Sequence, residues 1–175
     1  MELNYTLCTL TDLKSLKEIS EQTFIAAFEK DNNPQDFKNY ISSAFALEKI
    51  KEELLDENSF FYFARIKDNI VGYFKLNINS AQTDIKKADY IELERIYVLP
   101  QYQGKGLGKK ILNFIKRLPL VKHKERLWLG VWENNTKAIN FYQNNGFVKF
   151  GTHPYLIGSD QQTDWLMGFK LSTLL

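Results

Sequence analysis

Two kinds of chemistry lie side by side between Tyr90 and Lys110, in YIELERIYVLPQYQGKGLGKK. Leu93 to Val98 is a β-type run, and Glu92 and Glu94 stand two apart, a spacing that puts both carboxylates on one face of a strand. Such a pair can hold a cation or accept a proton. Pro100 ends the run, since proline has no N–H to give a ladder. Gly104, Gly106 and Gly108 then open a helix. The first N–H groups of a helix have no partner within it, and glycine has no Cβ to keep a ligand away. With Lys105, Lys109 and Lys110 alongside, the turn reads as a phosphate site.

Alternative readings of the glycines fail on spacing. A nucleotide P-loop needs G-x-x-x-x-G-K-[ST], which the chain lacks. A dinucleotide fold needs G-x-G-x-x-G after the first strand of a βαβ unit, whereas here G-x-G-x-G follows a fourth strand. A plain tight turn at a helix start is the simpler alternative.

The elements that must position these groups follow in order. Residues 3–9 alternate as a first strand, and Thr11 or Asp12 caps a helix that Asn32-Asn33-Pro34 breaks. Helices follow from Gln35 to about Ala46 and from Leu47 to Leu55. Ser59–Lys67 and Ile70–Asn79 form a hairpin through Asp68-Asn69. The strand beginning near Tyr90 comes next, then a helix from Gly106 to about Leu118, stopped by Pro119. Arg126–Trp132 is nearly all apolar, as a central strand buried on both faces would be. Asn134 or Asn135 caps a further helix, which ends where Gly146 supplies a left-handed residue. Phe147–Tyr155 and Thr163–Leu171 are the last strands, with Gly158-Ser159-Asp160 between them. The pattern β-ααα-βββ-α-β-α-ββ is α+β, a mixed sheet with helices on both faces.

Composition limits the function classes. The 175 residues, 44% hydrophobic and 25% charged, fit one globular domain spanning 1–175. A formal charge of +2 argues against nucleic acid as the main partner. No apolar run reaches the roughly 20 residues of a membrane span, and MELNYTLCTL has no signal-peptide pattern, so a cytoplasmic protein is expected. Cys8 is alone and reads as core filler. His123 reads as an exposed loop residue and His153 as structural, and no metal pattern is present.

QYQGKGLG, preceded by LERIYVLP, resembles the acyl-CoA-binding motif (R/Q)-x-x-G-x-(G/A) of the GNAT N-acetyltransferases, carried here by Gln101, Gly104 and Gly106. NNTKAINFYQNNGFVKFG, from Asn134 to Gly151, is similar to the family's following block, at the usual separation. WLGVWENNTKAINFYQNNGF and HPYLIGSDQQTDWLM look most like the PaiA-type polyamine acetyltransferases.

The resemblance implies the seven-stranded GNAT fold, mostly antiparallel, with the fourth and fifth strands splayed. It implies acetyl-CoA as co-substrate and no metal. Backbone N–H groups of Gln103, Gly104, Lys105, Gly106, Leu107, Gly108 and Lys109 would hold the diphosphate. The strand backbone at Ile96, Tyr97 and Val98 would meet the pantetheine and acetyl groups, and Glu94 falls at the position often used as base. A free carboxyl near about 4.3 is a poor match for an amine near about 10.4, so a water relay or simple capture of the ammonium competes with direct abstraction. The plainer alternative is that Glu92 and Glu94 pair with neighbouring Lys or Arg.

Tyr142 is the candidate acid for the leaving thiolate, and its plainer alternative is a core aromatic. Asn135 and Tyr142, i and i+7, share a helix side with small Ala138 between them, so Asn135 would bond the pantetheine arm. Asp160 and Asp164, with Glu92 and Glu94, offer negative charge to a polycation. The expected acceptor is a primary amine, first of all a spermidine- or spermine-like polyamine, with a protein N-terminus or an aminoglycoside as rivals. A homodimer is compatible with this reading. A non-catalytic CoA-binding regulator is the alternative of another class, but a binder needs neither Glu94 nor Tyr142.

Overall fold

The structure is a computed structural model that describes residues 2–157 and 160–171, with the side chains of Tyr155, Ile157 and Asp160 outside that description. Gly158 and Ser159 of the expected last connection therefore lie outside the described residues. Seven strands form one sheet: β1 (Asn4–Leu7), β2 (Ser59–Ile66), β3 (Asn69–Asn77), β4 (Tyr90–Val98), β5 (Arg126–Trp132), β6 (Val148–Ile157) and β7 (Asp160–Lys170). Their order is β1-β2-β3-β4-β5-β7-β6. Only β4 and β5 run parallel among the adjacent pairs, so the sheet is mixed and mostly antiparallel, as expected.

Helices cover both faces. α1 (Leu13–Phe28), α2 (Pro34–Ala44) and α3 (Leu47–Leu55) bury Leu16, Ile19, Phe37, Ile41 and Ile50 against Phe61, Phe63 and Tyr73. On the other face α4 (Leu107–Ile115), α5 (Pro119–Lys122) and α6 (Thr136–Asn144) bury Leu107, Ile111, Leu112, Ile115, Val121 and Ile139 against Phe74, Leu76, Ile91, Leu93, Leu127 and Leu129. Cys8 is in the first of these cores, where burial pushes its thiol up to about 12 and leaves it inert.

Three expectations change in detail. Pro119 does not merely stop a helix; α4 already ends at Ile115, and Pro119 opens α5 at the first-turn position where its missing N–H costs nothing. Asn33 caps α2 through hydrogen bonds from the Gln35 and Asp36 N–H groups, which brings Pro34 into the helix. β5 is not buried throughout: Leu127, Trp128, Leu129 and Val131 are buried, but Gly130 is exposed.

Two irregularities position the site. β4 and β5 pair only at Tyr90, Ile91 and Glu92, opposite Arg126, Leu127 and Trp128. Beyond Glu92 the strands diverge, which is the expected splay. On its other edge β4 carries a bulge: Lys75 faces Arg95 and Leu76 faces Leu93, leaving Glu94 as the extra residue. The strict alternation read from sequence therefore breaks. Ile91, Leu93, Ile96 and Val98 pack into the core under α4 and α6, while Arg95 joins Glu94 toward α1–α3, its guanidinium over the rings of Phe45 and Phe61.

Candidate active site

The splay opens a cleft of about 350 Å³. Glu92, Glu94, Ile96 and Tyr97 from β4 line it, with Asn135, Ala138 and Tyr142 from α6. The structure thus brings together the strand and helix residues singled out in the sequence. Val98 and the glycine turn are not on this lining.

Gly104 and Gly106 both have φ of +72°, a left-handed conformation that costs other residues about 1–2 kcal/mol. Space is open where a Cβ would stand at either position. The N–H groups of residues 104–109 find no acceptor among the described residues, which is the condition for an anion cradle at the start of α4. Gln103 departs from the expectation. Its N–H donates to the Pro100 carbonyl, and its Nε2 donates to the Val98 carbonyl at 3.0 Å. Both Gln103 and Val98 are thus engaged in tying the turn to the end of β4. Lys105 folds back to the Gln101 carbonyl, over the Tyr102 ring.

α6 is fixed at both ends. Asn135 is its cap, with Oδ1 accepting from the Ala138 N–H at 3.1 Å. That oxygen is therefore engaged, and the Nδ2 donor is what remains for the cleft. At the far end Gly146 has φ of +86°; its N–H bonds to the Gln143 carbonyl and that of Phe147 to the Tyr142 carbonyl. This locks the turn carrying Tyr142, whose ring lies 5.6 Å from that of Phe147. Burial pushes the Tyr142 phenol above its ordinary value, so it stays protonated.

The two glutamates occupy different environments. Glu94 Oε2 lies 2.6 Å from Lys75 Nζ and Oε1 3.3 Å from Arg95, and Asn77 donates to Oε2 at 2.5 Å. Glu53 of α3 binds the same two cations, at 3.0 Å and 3.2 Å. Two acids and two bases thus close a buried ring. Burial alone would raise the Glu94 carboxyl, but Arg95 and Lys75 outweigh it and hold it at about 2. A carboxylate so stabilised is a worse proton acceptor than a free one, which weighs against direct abstraction and toward capture of the ammonium. The simpler alternative, pairing with Lys and Arg, is what the side chain does.

Glu92 is 2% exposed and raised, chiefly by burial, against the bonds it receives. Thr83 donates its N–H at 2.8 Å and its hydroxyl at 2.5 Å, and Asn77 donates at 3.1 Å. Both Glu92 oxygens are thereby occupied.

Sequence reasoning missed the groups that hold or border this pair. Lys75, Asn77 and Glu53 looked like ordinary strand and helix residues, and Thr83 fell in an undifferentiated loop. Gln82 anchors that loop by accepting from the Trp128 indole N–H at 2.8 Å. Asp84, Trp128, Gly130, Trp132, His153 and Asp164 also line the cleft. His153, read as structural, lies at the cleft with Nδ1 3.2 Å from Asp84. Asp160's side chain lies outside the described residues.

Comparisons with known proteins agree with this geometry. The model of the acetyltransferase (GNAT) family matches residues 14–147. The chain is 37% identical over 156 residues to an uncharacterized N-acetyltransferase of Lactobacillus delbrueckii subsp. lactis, covering 89% of this chain and 90% of the relative. It is 35% identical over 80 residues to the spermine/spermidine N(1)-acetyltransferase of Bacillus subtilis, covering 45% of this chain and 53% of that one. The crystal structure of the PaiA N-acetyltransferase from Thermoplasma acidophilum in complex with coenzyme A superposes with a TM-score of 0.78, at 23% identity, over 97% of this chain and 99% of the other. Among the described residues no helix is long and apolar enough to cross a membrane. The splayed strands, the bare glycine turn and a family match across most of the chain lead to one conclusion: this protein belongs to the GNAT family and is an acyl-CoA-dependent N-acetyltransferase.

Proposed function

We propose that the chain moves an acetyl group from acetyl-CoA to a primary amine of a spermidine- or spermine-like polyamine, by direct attack in a ternary complex. The observation that carries the acceptor class is the charge of the cleft. Its lining holds four carboxylates; Glu94 is balanced within its ring with Glu53, Lys75 and Arg95, which leaves Asp84, Glu92 and Asp164 to face a cation. Phe24, Phe28, Tyr40 and Phe45 line the same wall, and aromatic faces accept both methylene chains and ammonium groups. A polycation with an apolar spacer matches both features. The partial likeness to the Bacillus subtilis spermine/spermidine enzyme supports the same acceptor.

In this reading the diphosphate rests on the N–H groups of residues 104–109, and the pantetheine arm passes between β4 and β5, beside Ile96 and Ala138. Asn135 Nδ2 meets the arm, and backbone of β4 freed by the splay faces the thioester. Tyr142 gives its proton to the departing sulfur, a thiolate with a proton affinity near about 8.5 in water and higher when desolvated. Glu92 supplies field and Glu94 holds Lys75 and Arg95 in place; neither transfers the proton. The test is thiol release from acetyl-CoA with spermidine, spermine, peptides bearing free α-amines and an aminoglycoside. Release with polyamines is expected; release with peptides alone would replace the acceptor, and no release with any amine would favour a CoA-binding regulator.

A further inference from the structure

With both glutamates of β4 engaged, the acceptor ammonium still needs a proton acceptor, and one carboxylate on the lining stands apart. Asp164 lies opposite Trp132 on β5 and opposite His153 on β6. Its Oδ2 lies 3.3 Å from where a Cβ on Gly130 would stand, so the absent side chain at Gly130 is what gives it room. Gly130 is two residues beyond Trp128, the last residue of β5 paired with β4. The carboxylate therefore sits at the mouth of the splay, where acyl group and amine must meet. It accepts no hydrogen bond from the described residues.

We propose that Asp164, seated over Gly130 beside the His153–Asp84 pair, is the base that takes the proton from the acceptor ammonium; this rests on the amine-acetyltransferase reading above. The N–H bond breaks and an O–H bond forms on Asp164, leaving the electron pair on nitrogen. The nitrogen attacks the thioester carbon, the C–S bond breaks, and sulfur takes the Tyr142 proton. The nitrogen, now bonded to the acyl carbon, sheds its second proton to solvent, Tyr142 regains one from solvent, and Asp164 releases its own to solvent beside His153, which is partly exposed. The surroundings suit the task. Burial raises the Asp164 carboxyl to about 6, with His153 pulling it down and Glu133 pushing it up. Asp84 from the β3–β4 connection and Glu92, Glu94 and Arg95 from β4 also line the space it faces.

The test is the pH profile of kcat/KM for acetyl transfer to a polyamine by the wild type, Asp164→Asn and His153→Gln, with CoA affinity measured by calorimetry. Wild-type activity should fall as pH drops through about 6. Asp164→Asn should keep its CoA affinity, lose about 100-fold or more at pH 7, and recover as pH approaches the amine's own pKa near about 10, since only free amine then reacts. His153→Gln should move the acidic limb upward, because the positive charge that lowers the Asp164 carboxyl is gone; a purely structural His153 would not shift it. An Asp164→Asn profile that keeps the acidic limb, or an unmoved limb in His153→Gln, overturns the assignment of the base while leaving the acetyltransferase reading intact. A wild type inactive with every amine overturns both.

Discussion

Replacing Glu94 by Gln separates a structural carboxylate from a catalytic one. Glu94 is held at about 2 against an ordinary 4.5. Each tenfold preference for the charged form is worth about 1.4 kcal/mol, so its charge contributes about 3 kcal/mol of stability at neutral pH. The same figure follows from what one partner of a buried ion pair is worth when removed, about 3–5 kcal/mol, since the neutral amide would leave Lys75 and Arg95 sharing Glu53 alone. The sign is that of a depressed carboxyl: the contribution is complete above 4.5 and lost as pH falls toward about 2. At pH 3.5 the difference between the two proteins should shrink to about 2 kcal/mol. With a urea dependence of about 2 kcal/mol per molar, Glu94→Gln should lower the unfolding midpoint at pH 7 by about 1.5 M. The folded variant should keep the shape of the wild-type pH–rate profile. An unchanged midpoint together with loss of the acidic limb would refute this reasoning and make Glu94 the base.

Other perturbations address the remaining groups. Tyr142→Phe should lower kcat by about 100-fold or more while leaving CoA affinity near that of the wild type; parallel loss of both, measured by steady-state kinetics and calorimetry, would make Tyr142 a packing residue. Gly106→Ala creates no clash but forces alanine to the left-handed φ of +72°, so CoA binding should weaken by about tenfold for every 1.4 kcal/mol of strain that the free protein relieves by leaving that conformation. Calorimetry showing unaltered affinity would remove the turn from the cofactor site. Thr83→Val deletes the hydroxyl donor to Glu92 Oε1 and should cost about 1–3 kcal/mol at pH 7. Glu92 is already raised, so its protonated form favours folding and that advantage is lost as pH rises; chemical denaturation should therefore show a smaller cost at pH 4 than at pH 7, and equal costs would refute the link to Glu92.

Much of the molecule was legible in the chain itself, because the signals were local. Hydrophobic period placed the helices and strands, Arg126–Trp132 coincides with β5, and the left-handed needs of Gly106 and Gly146 follow from backbone sterics alone. The glycine turn, the α6 face of Asn135, Ala138 and Tyr142, and the pairing of a second block with the first fixed the family. What depended on other strands was not legible. The bulge at Glu94 exists only in register with β3, and it sends Arg95 to the face that alternation denies it. Lys75, Glu53 and Arg95 then settle the charge of Glu94, though Lys75 and Glu53 lie far from it along the chain. Asp164 reads in the chain only as one of four negative charges, and His153 only as structural, until β7 and β6 set them beside Gly130 and Asp84. Residue type determined which groups could bear charge; only the tertiary structure decided which charges are neutralised by a neighbour and which remain free to act, because a carboxyl's affinity for a proton is set by the groups packed around it.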